Sequence, residues 1–162
     1  MKKIDMLAAT GAVLLALALP AWGFNGVDFE AIRKQAETGD PEAQSRLGVL
    51  YASGLGTAMD KEAAVRWYSK SAQQGYPVGQ YNLAFMYLRG EGVGEDYAKA
   101  QKLMRAAAEK GMAAAEYDLG MMYLMGVGVA EDRAQGEKWL RKSADQGYRE
   151  AQKMLKKLEQ EG

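Results

Sequence analysis

The chain has 162 residues, 48% of them apolar, and its 21 Lys and Arg balance 21 Asp and Glu. That size fits one folded domain with a core, and zero net charge lacks the basic footprint of a general nucleic-acid binder. Histidine and cysteine are both absent. Their absence excludes disulfides, thiolate nucleophiles, a Ser-His-Asp triad and the usual nitrogen–sulfur zinc site.

The amino end reads as an export signal. Met1 to Asp5 is short and net positive, Met6 to Leu19 carries no charge, and Pro20 ends the run. Ala21-Trp22-Gly23 offers small residues where a signal peptidase reads, which predicts cleavage after Gly23. An uncleaved anchor is the rival reading, but 14 apolar residues fall short of the roughly 20 needed to span a bilayer. Losing Lys2, Lys3 and Asp5 leaves 19 basic against 20 acidic side chains in a mature chain of 139 residues. The expected location is the periplasm, without lipidation because no cysteine is present, and with membrane contact only in transit. Lack of cysteine suits that oxidising compartment.

Residues 24–162 are dominated by a repeat of 36. Gly39, Gly75, Gly111 and Gly147 keep that spacing, as do Leu47, Leu83, Leu119 and Leu155. Tyr51, Tyr87 and Tyr123 follow it, then Gly54, Gly90 and Gly126, and Asp60, Asp96 and Asp132. No insertion interrupts the register. It divides the chain into a half unit at 28–39, full units at about 40–75, 76–111 and 112–147, and a capping helix at 148–160.

Each full unit predicts two helices. Asp40 is an N-cap, Pro41 suits a first turn, and Leu47 and Tyr51 share a face one turn apart. That first helix should span about 41–53 and stop at Gly54. Asp60 caps a second helix over about 60–74, whose apolar stripe is Ala64, Trp67, Tyr68 and Ala72. Asp28 to Glu37 matches a second helix of a preceding unit. Tyr148 to Glu159 matches a first helix of a following one, with the polar outer face a terminal cap needs.

The pattern Ala-x3-Leu-Gly-x2-Tyr-x2-Gly-x-Gly, then Asp, then Ala-x2-Trp-Tyr-x-Lys-x-Ala-x2-Gly resembles the Sel1-like repeat, a relative of the tetratricopeptide repeat. The match runs from Ala43 through Gly147. Gly79 stands for Ala, Ala84 for Gly, Leu103-Met104 for Trp-Tyr, and Gly136 for a small Ala. Gly136 should cost its helix somewhat under about 1 kcal/mol. The resemblance implies an all-α fold, a right-handed α/α superhelix with a concave surface lined by first helices. It also implies a role in binding proteins, often in the bacterial envelope.

Repeat-defining residues are scaffold first. The recurring Asp residues are caps, and the Gly-x-Gly turns follow helices and lack the Lys-Ser/Thr of a phosphate loop. Neither Ser-x-x-Lys nor Gly-x-Ser-x-Gly occurs. Glu116 and Asp118 point to different sides of their helix, so no acidic pair suggests acid–base catalysis. The chain is therefore expected to be no enzyme, with no cofactor, metal or nucleic acid. An enzyme of unknown class and a plain structural spacer are the alternatives.

Positions that vary between units are the candidates for binding. Away from the face carrying Leu83 and Tyr87, unit two presents Tyr81, Phe85, Leu88 and Arg89. Unit three presents Tyr117, Met121, Leu124 and Met125, and the last helix Lys153. Unit one has the milder Ser45, Val49, Ala52 and Ser53. Two readings compete: neighbours bury these helices on all sides, or the stripe lines an open groove that holds a partner protein. The second predicts an exported binding module, either an envelope adaptor or an immunity protein that plugs a lipase-type toxin delivered to the periplasm.

Overall fold

The computed structural model describes residues 28–160. Among them the chain forms eight α-helices and no strand. These are α1 (Phe29–Glu37), α2 (Pro41–Ser53), α3 (Lys61–Gln73), α4 (Pro77–Arg89), α5 (Tyr97–Glu109), α6 (Ala113–Met125), α7 (Arg133–Asp145) and α8 (Arg149–Gln160). Every helix from α2 to α7 has 13 residues, as an uninterrupted 36-residue period requires. The predicted signal segment and its cut after Gly23 lie outside the described residues.

Local chemistry sets the boundaries. The side chains of Asp28, Asp40, Asp60, Asp96 and Asp132 each accept a hydrogen bond from the backbone N–H three residues on, at 2.6–3.0 Å. Each satisfies one orphan donor of a new helix and places negative charge at its positive end. The predicted α3 therefore begins one residue later, at Lys61, because Asp60 is its cap.

Each helix packs on the next, and α2 also packs on α4, so the helix pairs stack as a right-handed α/α superhelix. Polar ties repeat between the helices of a pair. Ser71 donates to the Pro41 carbonyl at 2.6 Å, and Ser143 to that of Ala113 at 2.7 Å. Gln74 donates to Gln44 at 2.8 Å, and Gln146 to Glu116 at 2.7 Å. Unit two lacks both ties, since Ala107 and Lys110 occupy the donor positions and the buried Gln80 side-chain oxygen has no hydrogen bond.

Three glycine contacts fix the spacing. A Cβ at Gly136 would lie 2.7 Å from Leu124 and 3.0 Å from the Gly120 carbonyl. The sequence marks Gly136 as a mild helix weakness. The structure corrects that: α6 and α7 cross backbone to backbone there, and the gain in helix propensity from alanine would be spent on overlap. The Gly-x-Gly loops seat even more tightly. A Cβ at Gly92 would sit 2.4 Å from the Lys61 carbonyl oxygen, and one at Gly128 2.1 Å from that of Tyr97. The loop of one unit thus rests on the start of the second helix of the unit before.

Candidate functional site

The predicted binding stripe begins on α4 and α6. Its central residues are core rather than groove lining: Tyr81, Phe85, Leu88, Tyr117 and Met121 are all buried. Tyr81 keeps only 2% of its surface. Hydrophobic period says which side of a first helix faces its own pair. It does not count the neighbours on the other sides, and these helices have second helices before and after them and first helices alongside. Ser45, Val49 and Ala52 of unit one are buried too, so their mildness reflects smaller space, not exposure.

A polar ladder runs through this interior. The Tyr81 hydroxyl donates to the Asp118 carboxyl at 2.8 Å, and both groups are buried. One unit earlier, Asn82 approaches the Ser45 hydroxyl at 3.5 Å, in the same register. The rings of Tyr81 and Phe85 meet edge to face at 4.9 Å, and the Arg89 guanidinium lies 5.6 Å from the Phe85 ring. Tyr117 meets Tyr148 at 5.4 Å. Glu116 and Asp118 do go to different partners, Gln146 and Tyr81. With Asp118 at 0% exposure, no solvent-open cleft adjoins it. No group of three or more His, Cys, Asp or Glu among the described residues is placed to hold a metal.

Burial, reinforced by the negative charge of Asp118, pushes the Tyr81 phenol far above its ordinary 10.0. Burial, with Glu91 adding to it, does the same to Tyr68, whose hydroxyl has no hydrogen bond. Tyr117 and Tyr148 are pushed up to about 12, chiefly by burial and then by Asp118. The folded state therefore holds the neutral phenols. Their contribution to stability is constant below pH 10.0 and falls as pH rises through that value, because the unfolded chain then releases protons the folded one retains. Tyr68 and Tyr81 each withdraw up to about 1.4 kcal/mol per pH unit. An alkaline titration should show the late phenolate absorbance rise together with loss of helical circular dichroism. Ionisation of all nine tyrosines with the helices intact would contradict it.

The remaining stripe residues lie towards its ends. Arg89, Leu124 and Met125 are half-buried, and Lys153 is exposed. Arg89 and Met125 close the last turns of α4 and α6, which puts them on the same edge of the solenoid, beside the Gly-x-Gly loops. Arg89 also pairs loosely with Glu91, at 3.9 Å.

That edge carries two residues the stripe did not include. Met59, 63% exposed, and Leu55, 36% exposed, are the large apolar side chains left open among the described residues. Both belong to the loop from α2 to α3. Glu91 and Val127 stand at the position of Leu55 in the sister loops, and Glu95 and Glu131 at that of Met59. The signal was present in the alignment of the units, but in a loop instead of on a helix face.

The comparisons with known proteins agree with this architecture. The Sel1 repeat profile matches residues 41–76, 77–112 and 113–148. A Sel1 repeat protein from Oxalobacter formigenes is similar in structure, with a TM-score of 0.73, 35% identity, and coverage of 80% of this chain and 98% of its own. A protective antigen of uropathogenic Escherichia coli strains, displaying an SLR fold, is 41% identical with a TM-score of 0.73. The match covers 75% of this chain but 26% of that longer antigen. Cysteine rich protein B of Helicobacter pylori, at 21% identity and a TM-score of 0.63, shares the fold over 82% of this chain and 99% of its own. No curated protein is significantly similar to the chain.

Proposed function

The chain belongs to the Sel1 repeat family, and from that premise we propose that it is an exported, non-enzymatic scaffold that holds a protein partner along its loop edge. Repeats of this family generally mediate contacts between proteins. The edge joins the open Leu55 and Met59 to the half-buried Met125 and the Arg89 cation. Such surfaces fit a partner's contour, since Met adapts its shape and Arg anchors by several donors. The observation that carries the reading is Met59, the most exposed large apolar side chain described, where both sister loops place a glutamate. Scattered exposed apolar residues are ordinary, but here two fall in one seven-residue turn.

The layout of residues 1–23 supports export, and the periplasm is the compartment this reading assigns to the scaffold. An envelope adaptor and a neutraliser of a lipase-type toxin would both use this contact. The identity of the captured protein separates them.

Leu55→Glu and Met59→Glu test the site with little risk to the fold, because Glu91, Glu95 and Glu131 already occupy these positions in the other units. The double variant should keep the wild-type melting temperature and lose at least about tenfold in partner capture from the cell envelope. Undiminished capture would remove the edge from the reading.

A further inference from the structure

The outer face of the solenoid holds a second feature that the loop edge does not explain. In units one and three, a tryptophan fills the furrow between successive second helices. Trp67 packs with Ala36, Leu47 and Tyr51, and Trp139 belongs with Ala108, Leu119 and Tyr123. A lysine covers each indole, Lys70 at 4.0 Å and Lys142 at 4.2 Å from the ring centre.

Unit two keeps the floor and lacks both the ring and its cover. Ala72, Leu83 and Tyr87 occupy the floor positions, Leu103 stands for the tryptophan and Ala106 for the lysine. What results is an open cleft of about 330 Å³ between α3 and α5, lined by these apolar groups with Ser69 and Gln73 on one wall. Lys99 and Lys102 stand on the opposite wall. Lys99 is particular to this unit, where the others have Ala63 and Gln135. It lies 5.3 Å from the Tyr87 ring and 3.4 Å from the partly exposed Asp96.

The surroundings fix the sign of the ligand. The cleft lining carries Lys99 and Lys102 and no carboxylate, and Asp96 pairs with Lys99 alone. The cleft is thus an apolar slot with a cationic wall. An aromatic ring entering it would gain the burial that an indole has in the neighbouring units, and carboxylates beside that ring would meet the two lysines. The slot is open along its length, so a ligand needs contacts beyond the ring, which a peptide supplies. We propose that this cleft docks the aromatic side chain of an acidic peptide segment, the ring taking the place of the tryptophan that unit two lacks. Ligands that stack without charge, or that carry charge without a ring, fit one half of the site only.

The probe is a synthetic peptide, Asp-Glu-Trp-Glu-Asp, titrated calorimetrically into the full chain, with the same peptide carrying Ala in place of Trp as control. The tryptophan peptide should bind saturably, and the control at least about tenfold more weakly. Leu103→Trp, which closes the slot with the residue used in the other units, should lower binding at least about tenfold without lowering the melting temperature. Lys102→Glu, on an exposed helix face, should do the same and decides the matter if the first variant folds poorly. No saturable binding, equal binding of the two peptides, or indifference to both substitutions overturns the proposal. So does an oligothymidylate that binds more tightly than the peptide and is lost in Leu103→Trp, which would make the occupant a nucleic-acid base. Neither variant touches Leu55 or Met59, so envelope capture and peptide binding succeed or fail separately.

Discussion

Replacing Tyr81 by alanine is expected to destabilise the protein by about 3–5 kcal/mol, the range for removing a large ring from a packed core. The residue is 2% exposed, its ring packs on Phe85 at 4.9 Å, and its hydroxyl donates to Asp118 at 2.8 Å. Alanine removes all three contributions at once. A domain of this size has about 5–15 kcal/mol of stability in total, so the variant should sit near the limit of folding. Tyr81→Phe separates the parts. It keeps the ring and removes only the hydroxyl, and leaving the buried Asp118 carboxyl without that donor costs about 1–3 kcal/mol. Urea unfolding followed at 222 nm measures both. If alanine left the midpoint unchanged and only partner capture fell, Tyr81 would be a surface contact after all, and the burial argument would be wrong.

Gly128→Ala is expected to cost about 2–4 kcal/mol and to lower Tm by on the order of 10 °C. Two effects add. Gly128 has φ of 67°, where an L side chain is strained by about 1–2 kcal/mol. Its new Cβ would also fall 2.1 Å from the Tyr97 carbonyl oxygen and 2.6 Å from its carbon. Both are backbone atoms of a capped helix and cannot rotate away. Gly126 is the internal control, with φ of 65° but no atom nearer than 3.5 Å to its hypothetical Cβ. Gly126→Ala should show the conformational cost alone. Equal losses in the two variants would mean that the loop moves freely off its seat.

The helices were legible almost to the residue, because their caps are local. An aspartate beside a new helix and a glycine after an old one act within a single turn, and the 36-residue register repeats that information several times over. The inner stripe misled for the opposite reason. Whether Tyr81 and Phe85 are covered depends on the helices of neighbouring units, and no spacing within α4 reports them. The apolar character of α4 and α6 all round was the available sign, and the buried reading of it is the one the structure bears out for Tyr81, Phe85, Leu88, Tyr117 and Met121. Gly136 shows a similar limit. Propensity assigns it a cost, whereas the contact with Gly120 exists only once two helices cross. Departures from the repeat proved more informative than its matches. Leu103 and Met59 each break a pattern that sister units keep, and each marks a place where the surface opens.

The seating of Gly92 on Lys61 and of Gly128 on Tyr97 also constrains how such a chain can change over generations. Each loop is clamped between backbones, so an extra residue there would lift it from its seat and break the stacking of two units. Duplication or loss of a whole 36-residue block keeps every seat, because each unit touches only its neighbours. Descent in this architecture therefore proceeds in whole-block steps of length, with point substitution inside the block left to alter what each copy presents.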